Sequence, residues 1–413
     1  MKEFENFEAM FAQSIGLEEP WRIEKAEFEE QSRAVHIYVV ADKNAKYPCP
    51  VCGKKHSRFD NEEERVWQHG DVVFFPCYVH CRRPRIKCDK CKKIHVVMAP
   101  WARERSRYTL LFEAYSMLLS EKLPIEQARK FLRISHTSLT NIVAYWVSKR
   151  VSEDDLSNVK NLNIDETSFK KGQSYVTVVC DAVARRVIDV EEGRSSQQVW
   201  DFSIKLEEKG GDCNKIKQVA SDMSAAYLKG IEDCFPNAVS VIDKFHVKQL
   251  LLNAMQEVRR EEQGKEAKNR KAGRKLLMIP EGRMTEQQAE KVQELSKKYP
   301  KTGRAFRMVQ SLDVMYGCYT QEEANQRFGQ LISWLKRSRL EPMKRAATSL
   351  LEHKTRIMAY FLSRLTNAVA EGINSLIQAG KRKARGFRTF RGYSTMIYLT
   401  CSKLDFAPIQ LFA

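Results

Sequence analysis

No stretch of the sequence approaches the roughly 20 consecutive apolar residues that a membrane-spanning helix needs, so no membrane partner is expected. A secretory leader is missing too: Glu3, Glu5 and Glu8 interrupt the apolar positions between Met1 and Leu17, which points to a cytoplasmic protein. No internal repeat or low-complexity tract is evident, so a repeat array is not expected. The chain also lacks an even set of cysteines. Its 11 thiols, in a chain that reads as cytosolic, do not suit a disulfide framework. Acidic residues are in the minority, 52 against 70 basic ones, which leaves a formal net charge of +18. The commonest partner for such a surface is a polyanion, and nucleic acid is the first expectation.

What is present is ample for folding. With 413 residues and 43% hydrophobic residues, the chain can bury sizeable cores and should form at least two folding units. Six cysteines fall between Cys49 and Cys91, whereas Cys180, Cys213, Cys234, Cys318 and Cys401 are scattered singly and read as ordinary buried residues.

The chain opens with a short helical pattern followed by an apolar alternation, Ala34 to Val40, that suits a strand. Pro48, Pro76, Pro84 and Pro100 break the cysteine-rich block into short strands and knuckles. Three helical patterns follow: Ser106 to Lys122, Ile125 to Leu132, and Thr137 to Lys149, with a turn at Arg133 to Ser135. Their arrangement predicts a helix-turn-helix. After Val159 come short strands, at Leu162 to Ile164, Tyr175 to Cys180, Arg186 to Val190, Val219 to Ser221 and Val239 to Ile242, with helices between the later ones. This is an α/β layer pattern. From Lys248 to about Phe361 the sequence reads as nearly all helix, with breaks expected at Gly273, Pro280, Pro300 and Gly317.

Three constellations carry chemistry. Cys49-Pro50-Val51-Cys52 and Cys88-Asp89-Lys90-Cys91 are two Cys-x-x-Cys knuckles, the spacing of a structural tetrahedral zinc site. Cys77, Cys81, His80 and His95 stand near enough in sequence to be substitute ligands. In the helix-turn-helix, Thr137, Ser138 and Asn141 fall at the start of the recognition helix, where side chains reach base edges. An ordinary three-helix packing unit is the alternative. The third is a set of acids: Asp165 and Asp222 after predicted strands, and Glu371 on a predicted helix. Oxygen ligands suit magnesium, and two such ions about 3.5 to 4 Å apart support phosphodiester cleavage. Asp181, Asp189 and Asp243 also close strands, and an acid there often caps the next helix, so spacing does not choose among five aspartates.

The sequence resembles the bacterial insertion-sequence transposases of the ISL3 family. The resemblance runs from about Tyr47 to the C-terminal helix. It is carried by the two cysteine knuckles, the helix-turn-helix, Ile164-Asp165-Glu166, Ala220 to Ser224, Val241 to Val247, Asn367 to Asn374, and Ala384 to Phe390. It implies a ribonuclease-H-like catalytic fold whose acidic triad is Asp165, Asp222 and Glu371, split by a helical insertion before the glutamate. Two Mg2+ (or Mn2+) ions and a structural Zn2+ are the implied cofactors. The implied partners are the element's terminal inverted repeats, target DNA, and a second copy of the chain, since two ends must be brought together. Asp243 and His246 match a family motif and are expected to shape the site, to contact DNA, or to pack. Lys381, Arg382, Lys383, Arg385, Arg388 and Arg391 follow the glutamate and are expected either to clamp phosphates or to form a solvated face.

The expected organisation is an N-terminal segment (1–46), a zinc ribbon (47–101), a helix-turn-helix domain (102–152), a ribonuclease-H-like domain (159–250 and 356–413) and a helical insertion (251–355). A nucleoid-associated enzyme of the DDE class is the leading expectation. A non-catalytic ribbon and helix-turn-helix regulator, or a general nuclease of related fold, are the alternatives.

Overall fold

The computed structural model describes residues 7–170, 174–264, 271–363 and 368–406. Asn367 of the acidic-helix motif, residues 265–270 of the expected insertion, and the ends of the outermost expected domains lie outside the described residues. The chain divides into two compact units, Met1–Arg150 with Leu404–Ala413, and Val151–Lys403.

In the first unit a helix α1 (Phe7–Ser14) precedes eight strands: β1 (Trp21–Glu29), β2 (Ala34–Ala41), β3 (Lys46–Pro48), β4 (Lys55–Asn61), β5 (Arg65–Val72), β6 (Phe75–Cys81), β7 (Pro84–Cys88) and β8 (Lys93–Val96). They form two four-stranded sheets, ordered β1-β2-β6-β5 and β3-β4-β7-β8. The expected N-terminal segment and ribbon are thus joined, because β5 and β6, inside the ribbon's long loop, share a sheet with β1 and β2. Trp101 is the hub of the core, edge-on to Trp21 at 5.2 Å and to Trp67 at 5.6 Å.

Three helices complete this unit: α2 (Leu110–Lys122), α3 (Ile125–Leu132) and α4 (His136–Ser152). Each boundary has a local cause. The Thr109 side chain accepts from Phe112 N–H and starts α2. Arg133, in the left-handed region at φ 54°, ends α3. Ser135 Oγ accepts from Ser138 N–H at 3.0 Å at the start of α4. Leu139, Ile142, Val143, Trp146 and Val147 form the buried stripe of α4. Beneath it, the fully buried Glu113 carboxylate accepts from Arg103 Nε (2.8 and 2.9 Å), Ser106 Oγ (2.7 Å) and Trp146 Nε1 (2.6 Å), so a buried charge is completely partnered.

The second unit is built on β9 (Asn161–Ser168), β10 (Tyr175–Asp181), β11 (Arg186–Glu192), β12 (Gln218–Ser221) and β13 (Val239–Ile242), in the order β11-β10-β9-β12-β13. The first three strands pair antiparallel, whereas β12 runs parallel to β9, and β13 to β12. This is the expected ribonuclease-H-like arrangement. The helices α5 (Ser196–Glu208) and α6 (Ala225–Cys234) pack on one face, where Leu162, Ile164 and Val179 meet Val199, Phe202 and Tyr227. After β13 come α7 (Lys244–Gln263), α8 (Lys271–Leu276), α9 (Glu286–Lys298), α10 (Pro300–Tyr316), α11 (Gln321–Arg337), α12 (Glu341–Glu352) and α13 (Lys354–Ser363). These share a core of their own, which reaches Ala220, Val241 and Ile242, and α13 returns to pack on β13. Gly273 lies inside α8 and is not the expected break; Gly264, at φ 53°, ends α7 instead. The last helices, α14 (Ala368–Lys383) and α15 (Phe390–Cys401), cover the other sheet face through Ile373, Ile377, Tyr393 and Ile397.

Candidate functional site

The knuckles sit at the tips of two hairpin-like turns, Cys49 and Cys52 between β3 and β4, Cys88 at the end of β7 and Cys91 in the turn before β8. Gly53, at φ 74°, closes the first by donating its N–H to Cys49 O (2.9 Å). The four sulfurs lie within 4.8 Å of one another, with Cys49 to Cys91 at 3.9 Å and Cys52 to Cys88 at 3.5 Å. Metal–sulfur bonds of about 2.3 Å in a tetrahedron give edges of about 3.8 Å, so the set fits zinc. The substitute ligands fall elsewhere. Cys77 and Cys81 are core residues of β6, their thiols pushed up to about 12 by burial. His80 pairs with His36 at 2.8 Å, and His95 is not among the four ligands.

The five strand-closing aspartates now separate. Asp181 Oδ1 accepts from the N–H groups of Val183 and Ala184 and so shapes the β10–β11 turn. Asp189 is buried and binds Lys205 Nζ and the Tyr398 hydroxyl, each at 3.2 Å. The other three gather near the junction of β9, β12 and β13. Asp165 lies inside β9 rather than after it, because the strand runs on through Glu166, Thr167 and Ser168. Asp222 follows β12, and its Oδ1 accepts from Ser224 N–H (2.9 Å), so it also performs the turn-capping role open to it. Asp243 is buried immediately before α7.

Electrostatics tie these groups together. Burial raises the Asp165 carboxyl to about 6, with Asp243 and Asp222 adding to the rise, while Glu166 N–H at 2.8 Å and His246 oppose it. His246 Nε2 stands 3.8 Å from Asp165 Oδ1. Partial burial of its carboxyl also raises Glu371, which stays largely exposed in the first turn of α14, and Asp243 raises it further while His246 lowers it. Asp243 and His246, whose role the sequence left open, are thus the groups whose charges act on both Asp165 and Glu371. Among the described residues, the four cysteines are the group of three or more His, Cys, Asp or Glu side chains placed to hold a metal ion, and the acids and histidines form no such group. The carboxylates are therefore spread more widely than the four cysteine ligands. Their oxygen donors, packed at a charge cost visible in Asp165, fit a hard cation.

Sequence reasoning missed Asn374 as a site residue. Its Nδ2 donates to Asp165 Oδ2 at 2.6 Å, the first rung of a ladder between α14 and β9. Gln378 Nε2 donates to Thr167 Oγ1 (2.8 Å), and Lys381 Nζ to Ser168 O (2.6 Å). The signal was available in the spacing 371, 374, 378, 381, one stripe of a helix that starts with the acid. Lys381 is therefore anchored to the sheet, whereas Arg382, Lys383, Arg385, Arg388 and Arg391 are exposed. On α4, Thr137 and Asn141 are exposed, but the Ser138 hydroxyl accepts from Ser135 Oγ at 2.9 Å within the cap.

Comparison with known proteins bears on all three regions. Residues 162–397, more than half of the chain, match a family described as transposase. Residues 97–147 match the helix-turn-helix domain of transposase family ISL3, and residues 46–91 the zinc finger of transposase IS204/IS1001/IS1096/IS1165. Among similar proteins, the transposase for insertion sequence element IS1557 of Mycobacterium tuberculosis is 25% identical over 425 residues, covering 95% of both chains. The transposase for insertion sequence element IS1001 of Bordetella parapertussis is 25% identical over 385 residues, covering 91% of this chain and 94% of its own.

Proposed function

Because the chain belongs to the transposase family ISL3 and carries its DNA-binding helix-turn-helix, we propose that it binds the terminal inverted repeats of an insertion sequence and catalyses metal-dependent strand cleavage and strand transfer. The observation that carries this reading is the gathering of Asp165, Asp222, Asp243, His246 and Glu371 into one electrostatic neighbourhood on a ribonuclease-H-like sheet. Asp165, Asp222 and Glu371 would hold two Mg2+ or Mn2+ ions, which when bound activate a water or a 3′-hydroxyl and stabilise the leaving oxygen. Asn374 donates to Asp165 Oδ2 and Glu166 N–H to Oδ1, so both carboxylate oxygens are held in place, with His246 beside the second. His246 and Asp243 set the charge balance around both Asp165 and Glu371. Arg382, Lys383, Arg385 and Arg388, exposed after α14, bind backbone phosphates of the DNA, and Thr137 and Asn141 read base edges. Zinc held by Cys49, Cys52, Cys88 and Cys91 keeps the ribbon folded. Joining two transposon ends to a target calls for at least a dimer in the active complex.

The test is cleavage of a plasmid carrying the element's ends, with and without magnesium. The expected result is nicking by the wild type only with magnesium, lost by at least about a thousandfold (about 4 kcal/mol) in Asp165→Asn, Asp222→Asn and Glu371→Gln, with end binding kept. Wild-type cleavage by any variant removes that residue from the site. Binding without any nicking would favour a regulator, and equal cutting of scrambled ends a general nuclease.

A further inference from the structure

The connection between β5 and β6 is a two-residue turn, Val73-Phe74, closed by the pairing of Val72 with Phe75. Both turn residues have positive φ, 49° at Val73 and 73° at Phe74. Hairpin turns of this kind favour Asn-Gly, because a Cβ crowds the backbone there, and a β-branched valine is especially ill suited. The two side chains gain no burial in exchange: Val73 is 76% exposed and Phe74 86%. Two large apolar groups are thus held in unfavourable backbone conformations and presented to solvent. Strain of this sort, where the fold does not need it, points to a use.

The surroundings of the turn indicate the use. Arg133, the residue that ends α3, donates from Nη2 to Phe74 O (3.2 Å) and pairs through Nη1 with Asp71 (3.1 Å). Gln68 of β5 donates to Leu132 O (3.3 Å), and the backbone of Gln68 is bonded to Arg107 and Thr109. The hairpin is therefore fixed to the turn that leads into α4, three to eight residues before the exposed His136, Thr137 and Asn141. Behind the tip, Phe75 meets Phe28 edge-on at 5.1 Å and lies under the Arg33 guanidinium at 5.4 Å, which adds a cation to the same strip. The Asp71 charge is answered by Arg133.

We propose that Val73-Phe74 is a second DNA-contacting element, an apolar wedge that enters the minor groove beside the base pairs met by α4. The proposal rests on DNA binding by the helix-turn-helix. The tip is bonded to the turn that leads directly into Thr137 and Asn141, which places it beside that end of α4. Apolar side chains are a recurring means of gripping a minor groove, where sugar and base edges are the contact surface. The preorganised turn presents its side chains without an ordering cost at binding.

The test uses the full chain and a duplex enriched by it from a random-sequence pool, with affinity by fluorescence anisotropy and contacts by hydroxyl-radical footprinting. Phe74→Ala and the double variant V73N/F74G are compared with Asn141→Ala. The double variant suits the turn, so its melting temperature should equal or exceed that of the wild type and a folding failure is separately visible. We expect both tip variants to weaken binding about tenfold. Protection should disappear from a few nucleotides on one side of the footprint, and a duplex truncated there should bind all tip variants and wild type equally. Full affinity and footprint in V73N/F74G, with weakened binding in Asn141→Ala, would overturn the wedge alone. Unchanged binding in all three variants would overturn the helix-turn-helix reading with it. A shift toward monomer in sedimentation, with DNA binding unaltered, would also overturn the wedge and make the tip a protein contact.

Discussion

The four cysteines of the ribbon and the carboxylates proposed to hold catalytic metal in the α/β unit are assembled in two different ways. Two tight turns bring the sulfurs within 4.8 Å of one another, and the chain completes that coordination shell unaided. The acids come from β9, the ends of β12 and β13, and α14, and among the described residues they form no such metal-holding group. A closed shell belongs to a metal that holds a fold together; the proposed catalytic metals would instead keep positions for phosphate oxygens and water. The same contrast extends outward. Glu113 is fully buried and fully partnered in the first unit, whereas Glu371 stands exposed in the first turn of its helix.

The sharpest way to break this contrast is metal removal. Stripping zinc from the ribbon should unfold it, since structural zinc contributes an apparent 10 to 16 kcal/mol, roughly, in small zinc folds. Circular dichroism before and after chelation, with elemental analysis for one zinc per chain, checks this; an unchanged melt would make the cysteine cluster an ordinary core. Withdrawing magnesium should leave the melting of the α/β unit nearly unaltered.

Next in size is Glu113→Ala, which strands Arg103 and Trp146 without their acceptor and should cost about 3 to 5 kcal/mol in denaturant unfolding. A change below about 1 kcal/mol would show the network to be dispensable.

Acid should then act on the same unit. His69 bonds Thr109 Oγ1 at 2.9 Å, and burial lowers its pKa from 6.5 to about 4. An unfolded chain binds a proton between those values and the folded one does not, so stability is complete above about 6.5 and falls toward pH 4. The loss is about 3 kcal/mol and should vanish in His69→Gln. Identical pH profiles for the two proteins would exclude His69 as the cause.

In the proposed catalytic site the effects are smaller and appear in activity. Asn374→Ala should reduce cleavage by about 10 to 100-fold while leaving DNA affinity intact, the usual scale for a residue that orients a metal ligand. Weaker DNA binding with unchanged turnover would assign it to the DNA surface instead. Least of all, replacing Arg382, Lys383 and Arg385 by alanine should lower the salt slope of DNA binding by roughly 2 to 3 units. A constant slope would return them to solvated surface.

Much of this organisation can be read from residue spacing alone. The cysteine knuckles, the three helices and the five strands of the α/β sheet stand close to where periodicity and turn residues put them, except that the first helix starts at Leu110 and not at Ser106, because the Thr109 side chain caps it. Local patterns fail where a distant partner decides. Strand β1 carries charges at most positions and buries only Trp21, so its sequence has little strand character; pairing with β2 makes it one. The polar run Glu166 to Ser168 reads as a turn, yet it extends β9 because β10 pairs with it along its whole length. Gly273 reads as a break, but it lies within α8 with Leu295 of α9 as its neighbour. Among the aspartates, spacing could not separate Asp165, Asp222 and Asp243 from Asp181 and Asp189, since that choice depends on which strands become neighbours.

The helical insertion departs from the end of β13 through Asp243 and comes back, through α13, to the strand it left. An excursion that starts and finishes at one place transmits little of its own size to the scaffold. The intervening helices can grow, shrink or tilt while α14 keeps its hold on β9 rung by rung. Changes in that body can therefore leave the acids at its root in place.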